Sequence, residues 1–209
     1  MNQIIPAILP KSQTELEEKV SSVLGLVKRV QVDVCDGIVV SSKTEFSSLP
    51  HLDQIDHELD LMVDVKSVND LEKYTSMKPR SIVFHLEFLA EPKECLDYVK
   101  NKGIDVGLAI GNDTPSHFVN PFVSEISFVQ LMGISEIGNQ GNPFDSRVLE
   151  KILYFKQNYP ELEIQVDGSV NTETIGILES AGAIRFICGS SVFNGDVSEN
   201  IAKLRELVR

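Results

Sequence analysis

The sequence predicts an α/β fold, a single (β/α)8 TIM barrel occupying residues 1–209, and three observations carry that prediction. Short β-rich apolar runs alternate with segments of helical period along the whole chain. There are eight such runs, at about 26 residues per strand-and-crossover unit, which is the arithmetic of a small barrel. No Pro-, Gly- or Ser-rich linker interrupts them, so no domain boundary is expected. An open doubly wound sheet is the alternative architecture. Against it, the first strand is not followed by GxGxxG, and the closing GSSVF with a last helix fits barrel closure better.

The strands are expected at 3–9, 30–35, 58–63, 81–86, 105–110, 128–134, 163–167 and 185–188. Helices are expected to start after Ser12, Ser67, Asp145, Asn171 and Ser198, whose side chains can accept from unpaired backbone N–H groups. Pro92 opens another, because proline at a first helical position removes a donor that has no partner anyway. Gly103 and Gly182 stand where two of the helices should stop. The Ser-rich stretch 37–52, with Pro50, is expected to be a loop with a short helix.

Composition narrows the function. Nineteen Lys and Arg against 31 Asp and Glu give a net charge of −12, which repels polyanions and argues against nucleic acid or an anionic membrane as partner. No apolar run approaches the ~20 residues of a membrane span, and the N-terminus does not read as a signal peptide, so a cytoplasmic protein is expected. Cys35, Cys95 and Cys188 are odd in number and widely spaced, which fits reduced buried thiols and neither a disulfide framework nor a zinc ribbon.

Alternation along the strands puts polar residues where a barrel interior should be apolar. Gln31, Asp33 and Cys35 share one face of strand two; Asp60 and Met62 share a face of strand three; His85 and Glu87, Gln130 and Met132, and Gln165 and Asp167 follow on strands four, six and seven. Three carboxylates converging at the C-terminal mouth of a barrel, where active sites of this fold lie, need a cation, a shared proton or hydrogen-bond donors. Any one of the three alone can equally be a turn cap, since DG is a common turn dipeptide. Beyond strands seven and eight, Asp167-Gly168-Ser169 and Gly189-Ser190-Ser191 supply small residues whose backbone N–H groups can approach a phosphate. The long Gly-rich segment from Ser135 to Phe144 reads as a mobile lid or as an ordinary loop.

The ordered set IIPAIL, VQVDVCDG, LDLMV, FHLEF, VGLAI, VQLMGI with IGNQGNPF, IQVDGSV and ICGSSVF resembles the ribulose-phosphate 3-epimerase family, and the resemblance runs from Ile5 to Phe193. It implies a barrel enzyme that inverts one carbon beside the carbonyl of a phosphorylated ketopentose. Asp33 and Asp167 would be the two proton-transfer acids, with a divalent metal stabilising the enediolate between them. It also implies phosphate binding at Ser169, Gly189 and Ser190, with Gly168 and Gly141 beside them, site-lining Met62 and Met132, and a homo-oligomer.

The sequence departs from the family at the metal. The two histidines that accompany the aspartates are replaced by Gln31 and Asp60, leaving a ligand set of Gln31, Asp33, Asp60 and Asp167 with His85 and Glu87 in support. Such an all-oxygen set favours Mg²⁺, Mn²⁺ or Ca²⁺ over Zn²⁺, but three carboxylates over-neutralise a dication and weaken it as an electrophile, so the metal is expected to be hard or absent. The family's Pro-Ser is Pro6-Ala7, a third site methionine is Cys35, and Ser169 stands in place of glycine. The expected function is therefore epimerisation of a phosphorylated pentulose or hexulose. The alternatives are a non-catalytic sugar-phosphate binder and a related barrel enzyme with aldol-type chemistry; against the latter, no DxKxxD run follows Asp60.

Overall fold

The computed structural model describes residues 2–138 and 141–208. Eight parallel strands close on themselves: β1 (Gln3–Ile8), β2 (Arg29–Cys35), β3 (Asp56–Met62), β4 (Ser81–His85), β5 (Asp105–Ile110), β6 (Phe128–Met132), β7 (Glu163–Asp167) and β8 (Arg185–Cys188). Each pairs with the next, and β8 pairs with β1 in the register Gln3↔Arg185 to Pro6↔Cys188, so the open-sheet alternative is excluded.

The helical elements are α1 (Gln13–Val23), α2 (Glu72–Thr75), α3 (Pro92–Lys100), α4 (Arg147–Asn158), α5 (Ile175–Ala181), α6 (Ser190–Phe193) and α7 (Val197–Glu206). Their apolar stripes meet the outward faces of the strands. Leu16, Val20 and Val23 of α1, Leu96 and Val99 of α3, and Ile152 and Phe155 of α4 join Val30, Val32, Leu59, Leu61, Ile82 and Phe84 in one cluster that carries most of the apolar burial. Ser12 caps α1 as expected, its side chain accepting from Glu15 N, and Pro92 is the first residue of α3. Gly182 closes α5 with a φ of 122°.

Several local expectations are corrected. The stretch 37–52 contains no helix; it is a looped-back segment pinned by the antiparallel bridge Asp36↔Lys43 and by Asp36, whose carboxylate accepts from the N–H groups of Ile38, Val39 and Asp64. The crossover from β5 to β6 is a 3-10 segment, Ser116–Glu125, because Pro121 removes a donor in its middle. The last helix is capped by Asp196, two residues before Ser198. Ser146 flanks α4 while Asp145 binds the Arg147 guanidinium, and Asn171 caps a turn ahead of α5, whose own cap is Thr174. No helix among the described residues is long and apolar enough to cross a membrane. All three cysteines are buried and free.

Candidate active site

The inward faces build the site in two tiers. In the lower one, the buried Arg185 of β8 lies over the Phe128 ring and pairs with Glu58 of β3 at 2.5 Å (Nη2 to Oε2). A buried ion pair is tolerable when its remaining polar atoms are bonded, and here Ser81 Oγ and Gln165 Nε2 also donate to Glu58, at 2.8 and 2.7 Å.

Above this tier, the register pairs Asp33 with Asp60 across β2 and β3, and Met132 with Asp167 across β6 and β7. Asp33, Asp60 and Asp167 each bring a carboxylate oxygen within 4.8 Å of the others. Gln31 Nε2 donates to both Asp33 Oδ1 (2.9 Å) and Asp167 Oδ2 (2.8 Å). His85 Nε2 lies 2.9 Å from Asp60 Oδ1, and Gln130 Nε2 donates to Asp60 Oδ2 at 3.0 Å. Burial, then the neighbouring charges of Asp167 and Asp60, push Asp33 well above the usual carboxylate range. Burial and Asp60 raise Asp167 to about 7. For His85 burial opposes the charge, but Asp60 beside it outweighs that effect and the net shift is upward.

A cavity of about 260 Å³ opens over this floor. Of the residues expected at the site, Asp33, Met62, Met132, Gly141, Asp167, Gly168, Ser169, Gly189 and Ser190 line it. Gln31, Asp60 and His85 lie beneath it, at most 1% exposed, so they act on the cavity through other side chains. Ala7 and Leu9 form an apolar wall, as the replacement of the family's Pro-Ser by Pro6-Ala7 leads one to expect. Asn171 also lines the cavity and was not foreseen as a site residue; its place just past the Gly168-Ser169 turn was the available signal.

The loops come together through close backbone contact. Gly133 N donates to Asp167 O at 2.6 Å, and a Cβ on Gly133 would sit 2.3 Å from Gly168 O, so only glycine lets β6 approach the end of β7 there. Ser169 holds a φ of 52° and its hydroxyl donates to Asn142 O, which joins the strand-seven turn to the loop after β6. Asn139 and Gln140 of that loop lie outside the described residues. Its neighbour Gly138 meets the segment after β2, where Ser42 Oγ donates to Gly138 O and Val40 packs close by. Val40 is buried with Cys35 and Met62, and Val39 and Phe88 pack on that group; Leu89 packs against the main core.

Two expected supporting roles do not match the geometry. Glu87 turns away from the acids and accepts from Gly111 N at 2.8 Å, because β4 ends at His85 and a 3-10 turn breaks the alternation. Gln31 was expected to offer its carbonyl oxygen to a cation, yet it turns N–H hydrogens toward Asp33 and Asp167. Four donor contacts, from Gln31 twice, His85 and Gln130, already engage the three acids, and a divalent ion would meet amide hydrogens where an oxygen ligand was needed. The side chains present do not fit the divalent ion that the resemblance implied.

Comparison with known proteins agrees with the architecture. Residues 3–193 match the model of the Ribulose-phosphate 3 epimerase family. A ribulose-phosphate 3-epimerase of Helicobacter pylori (strain ATCC 700392 / 26695) is 28% identical over 91% of this chain and 90% of its own. One from Schizosaccharomyces pombe is 30% identical over 56% of this chain, a match spanning about half, 51%, of that protein's length. Among solved structures, a 3-hexulose-6-phosphate synthase superposes with a TM-score of 0.76 at 15% identity, covering 99% of this chain and 100% of the other, which is a likeness of fold. A match over residues 3–193, nearly the whole barrel, places this chain in the ribulose-phosphate 3-epimerase family.

Proposed function

We propose that the protein epimerises a phosphorylated ketose, a pentulose or hexulose phosphate, at the carbon beside its carbonyl, with Asp33 and Asp167 as the two proton-transfer groups. The observation that carries this reading is the pair itself: two acids on the cavity floor, bridged by one amide nitrogen and both raised above the ordinary carboxylate range. A pair of that kind shares a proton near neutral pH, so one member is a base while the other is an acid. The ionised carboxylate takes the proton from the carbon and an enediolate forms. The protonated partner then donates to the opposite face, and the pair ends with its proton exchanged between members.

The phosphate end of the substrate belongs at Gly168-Ser169 and Gly189-Ser190, whose small residues line the cavity beside Asn171. Met62 and Met132 border the reacting end with adaptable apolar surface. His85 acts indirectly, through its contact with Asp60. The family resemblance brings with it an expected homo-oligomer, which sedimentation velocity decides.

The test is deuterium incorporation from solvent into a panel of ketose phosphates, followed by NMR. Exchange at the carbon next to the carbonyl is expected, and Asp33→Asn and Asp167→Asn should each end epimerisation and lower exchange by about 10² to 10⁴-fold. Binding of a ketose phosphate with no exchange would make the protein a sugar-phosphate binder. Exchange that survives both substitutions unchanged would remove the acids from the mechanism.

A further inference from the structure

We propose that a hydrogen-bond relay anchored on Arg185 takes the place of a divalent cation in holding the two acids, with Gln31 as the positioning residue that makes the replacement. Its catalytic meaning rests on the epimerase reading above; its geometry does not.

A guanidinium only donates. Arg185 Nε reaches Gln165 Oε1 at 2.6 Å, and Nη2 reaches Glu58 Oε2 at 2.5 Å. Gln165 is thereby fixed: turning its amide over would set N–H against the guanidinium N–H and its carbonyl against the Glu58 carboxylate. Its Nε2 therefore points at Glu58 Oε1 (2.7 Å), Gln130 Oε1 (2.6 Å) and Gln31 Oε1 (3.3 Å). Its two hydrogens go to Glu58 and Gln130, with Gln31 Oε1 a longer, shared contact, and both glutamines facing Nε2 must present oxygen to it and NH2 to the upper tier. Gln130 then donates to Asp60, and Gln31 donates to Asp33 and Asp167.

All three glutamines are fully buried, so no water is at hand to relax the choice. A bridging cation in such a site would hold two carboxylates together against their repulsion. The NH2 of Gln31 does this with one nitrogen bonded to both. For Gln31 to become an oxygen ligand it would have to place its own N–H2 against that of Gln165, and the chain of amides back to Arg185 would be broken. The orientation that excludes the ligand is thus set at the opposite end of the barrel interior.

The experiment is a Mn²⁺ titration of the purified protein after dialysis against a chelator, read by the electron paramagnetic resonance of free Mn²⁺ and by calorimetry, beside the solvent-exchange assay run with and without Mg²⁺, Mn²⁺ or Zn²⁺. The native protein is expected to leave Mn²⁺ free, and its exchange rate should be the same with chelator as with any of the three ions. Gln31→Glu, which turns the donor into an acceptor of equal size, should bind Mn²⁺ at least about tenfold more tightly than the native chain. Stoichiometric Mn²⁺ binding by the native protein, or exchange that appears only when an ion is added, overturns the relay and leaves the epimerase reading standing. Absence of exchange under every condition sinks that reading instead, and the native Mn²⁺ titration still decides the relay, as it does should Gln31→Glu fail to fold.

Discussion

Along β2, Val30, Val32 and Val34 turn outward into the helix layer while Gln31, Asp33 and Cys35 turn inward, and the two rows obey different physics. The outer row is held by burial, which has no direction and depends on the area removed from water. The inner rows are held by hydrogen bonds, in which each donor dictates its neighbour's orientation, so Arg185 at one end constrains Gln31 at the other. The outside of the barrel therefore supplies stability, and the inside supplies orientation and chemistry.

The largest expected contrast lies at the acids. Asp33→Asn should lower solvent exchange by about 10² to 10⁴-fold, the typical contribution of a positioned acid or base. Its thermal midpoint should stay level or rise, because an amide has no charge to desolvate at a place where burial already disfavours the carboxylate. Parallel kinetic and calorimetric measurements check both halves.

Next in size are two truncations on opposite faces. Phe155→Ala removes a fully buried ring of the helix layer and should cost about 3–5 kcal/mol in denaturant unfolding. Glu58→Met removes the nearer partner of the buried Arg185, leaving only the half-exposed Glu163 at 3.4 Å, and should cost about 3 kcal/mol. The two differ in how they are repaired: adding Arg185→Met to Glu58→Met should recover much of the loss in a double-mutant cycle, since the damage is an under-paired charge, whereas the Phe155 cavity has no charged partner to remove.

The pH dependence separates the faces again. Asp167 titrates near 7 in the folded protein against about 4 when exposed, so between those values the native state holds a proton that the unfolded chain has released. Its contribution to stability is complete below about pH 4 and is lost as pH rises through 7, by something on the order of 4 kcal/mol for a shift of about three units. Asp167→Asn should reduce that slope, leaving the part that Asp33 contributes, while Phe155→Ala should displace the whole profile without changing its slope. Unfolding free energies measured from pH 4 to 8 distinguish the two.

This division explains what could be read in advance. The strands were legible because their bounds follow apolar runs, and the three acids were legible because alternation placed them on the inner face. The direction of Gln31 was not, because it is imposed by Arg185, on a strand far away in sequence. Glu87 misled because alternation holds only while the strand lasts, and β4 stops two residues short of it. The 37–52 segment carried Ser and Pro signals that fit a helix start as well as a turn, and it is held as a loop by the Asp36↔Lys43 bridge and the contacts of the Asp36 carboxylate. Asn171 carried a helix-start signature, and its second role as cavity wall depends on packing that no local pattern encodes.

The smallest expected effect lies where the two regimes meet, at the half-buried Ser169. Its φ of 52° is strained for a residue with a Cβ, at about 1 kcal/mol, and its hydroxyl bond to Asn142 O contributes about as much in return. Ser169→Gly relieves the strain and loses the bond, so its stability should stay within about 1 kcal/mol of the native chain. Ser169→Ala keeps the strain and loses the same bond, and should fall about 1 kcal/mol below the glycine variant. That ordering is specific to a side chain held in place by one hydrogen bond: were Ser169 stabilised by packing, as the outer rows are, alanine would preserve more of it than glycine and unfolding titrations would return the reverse order.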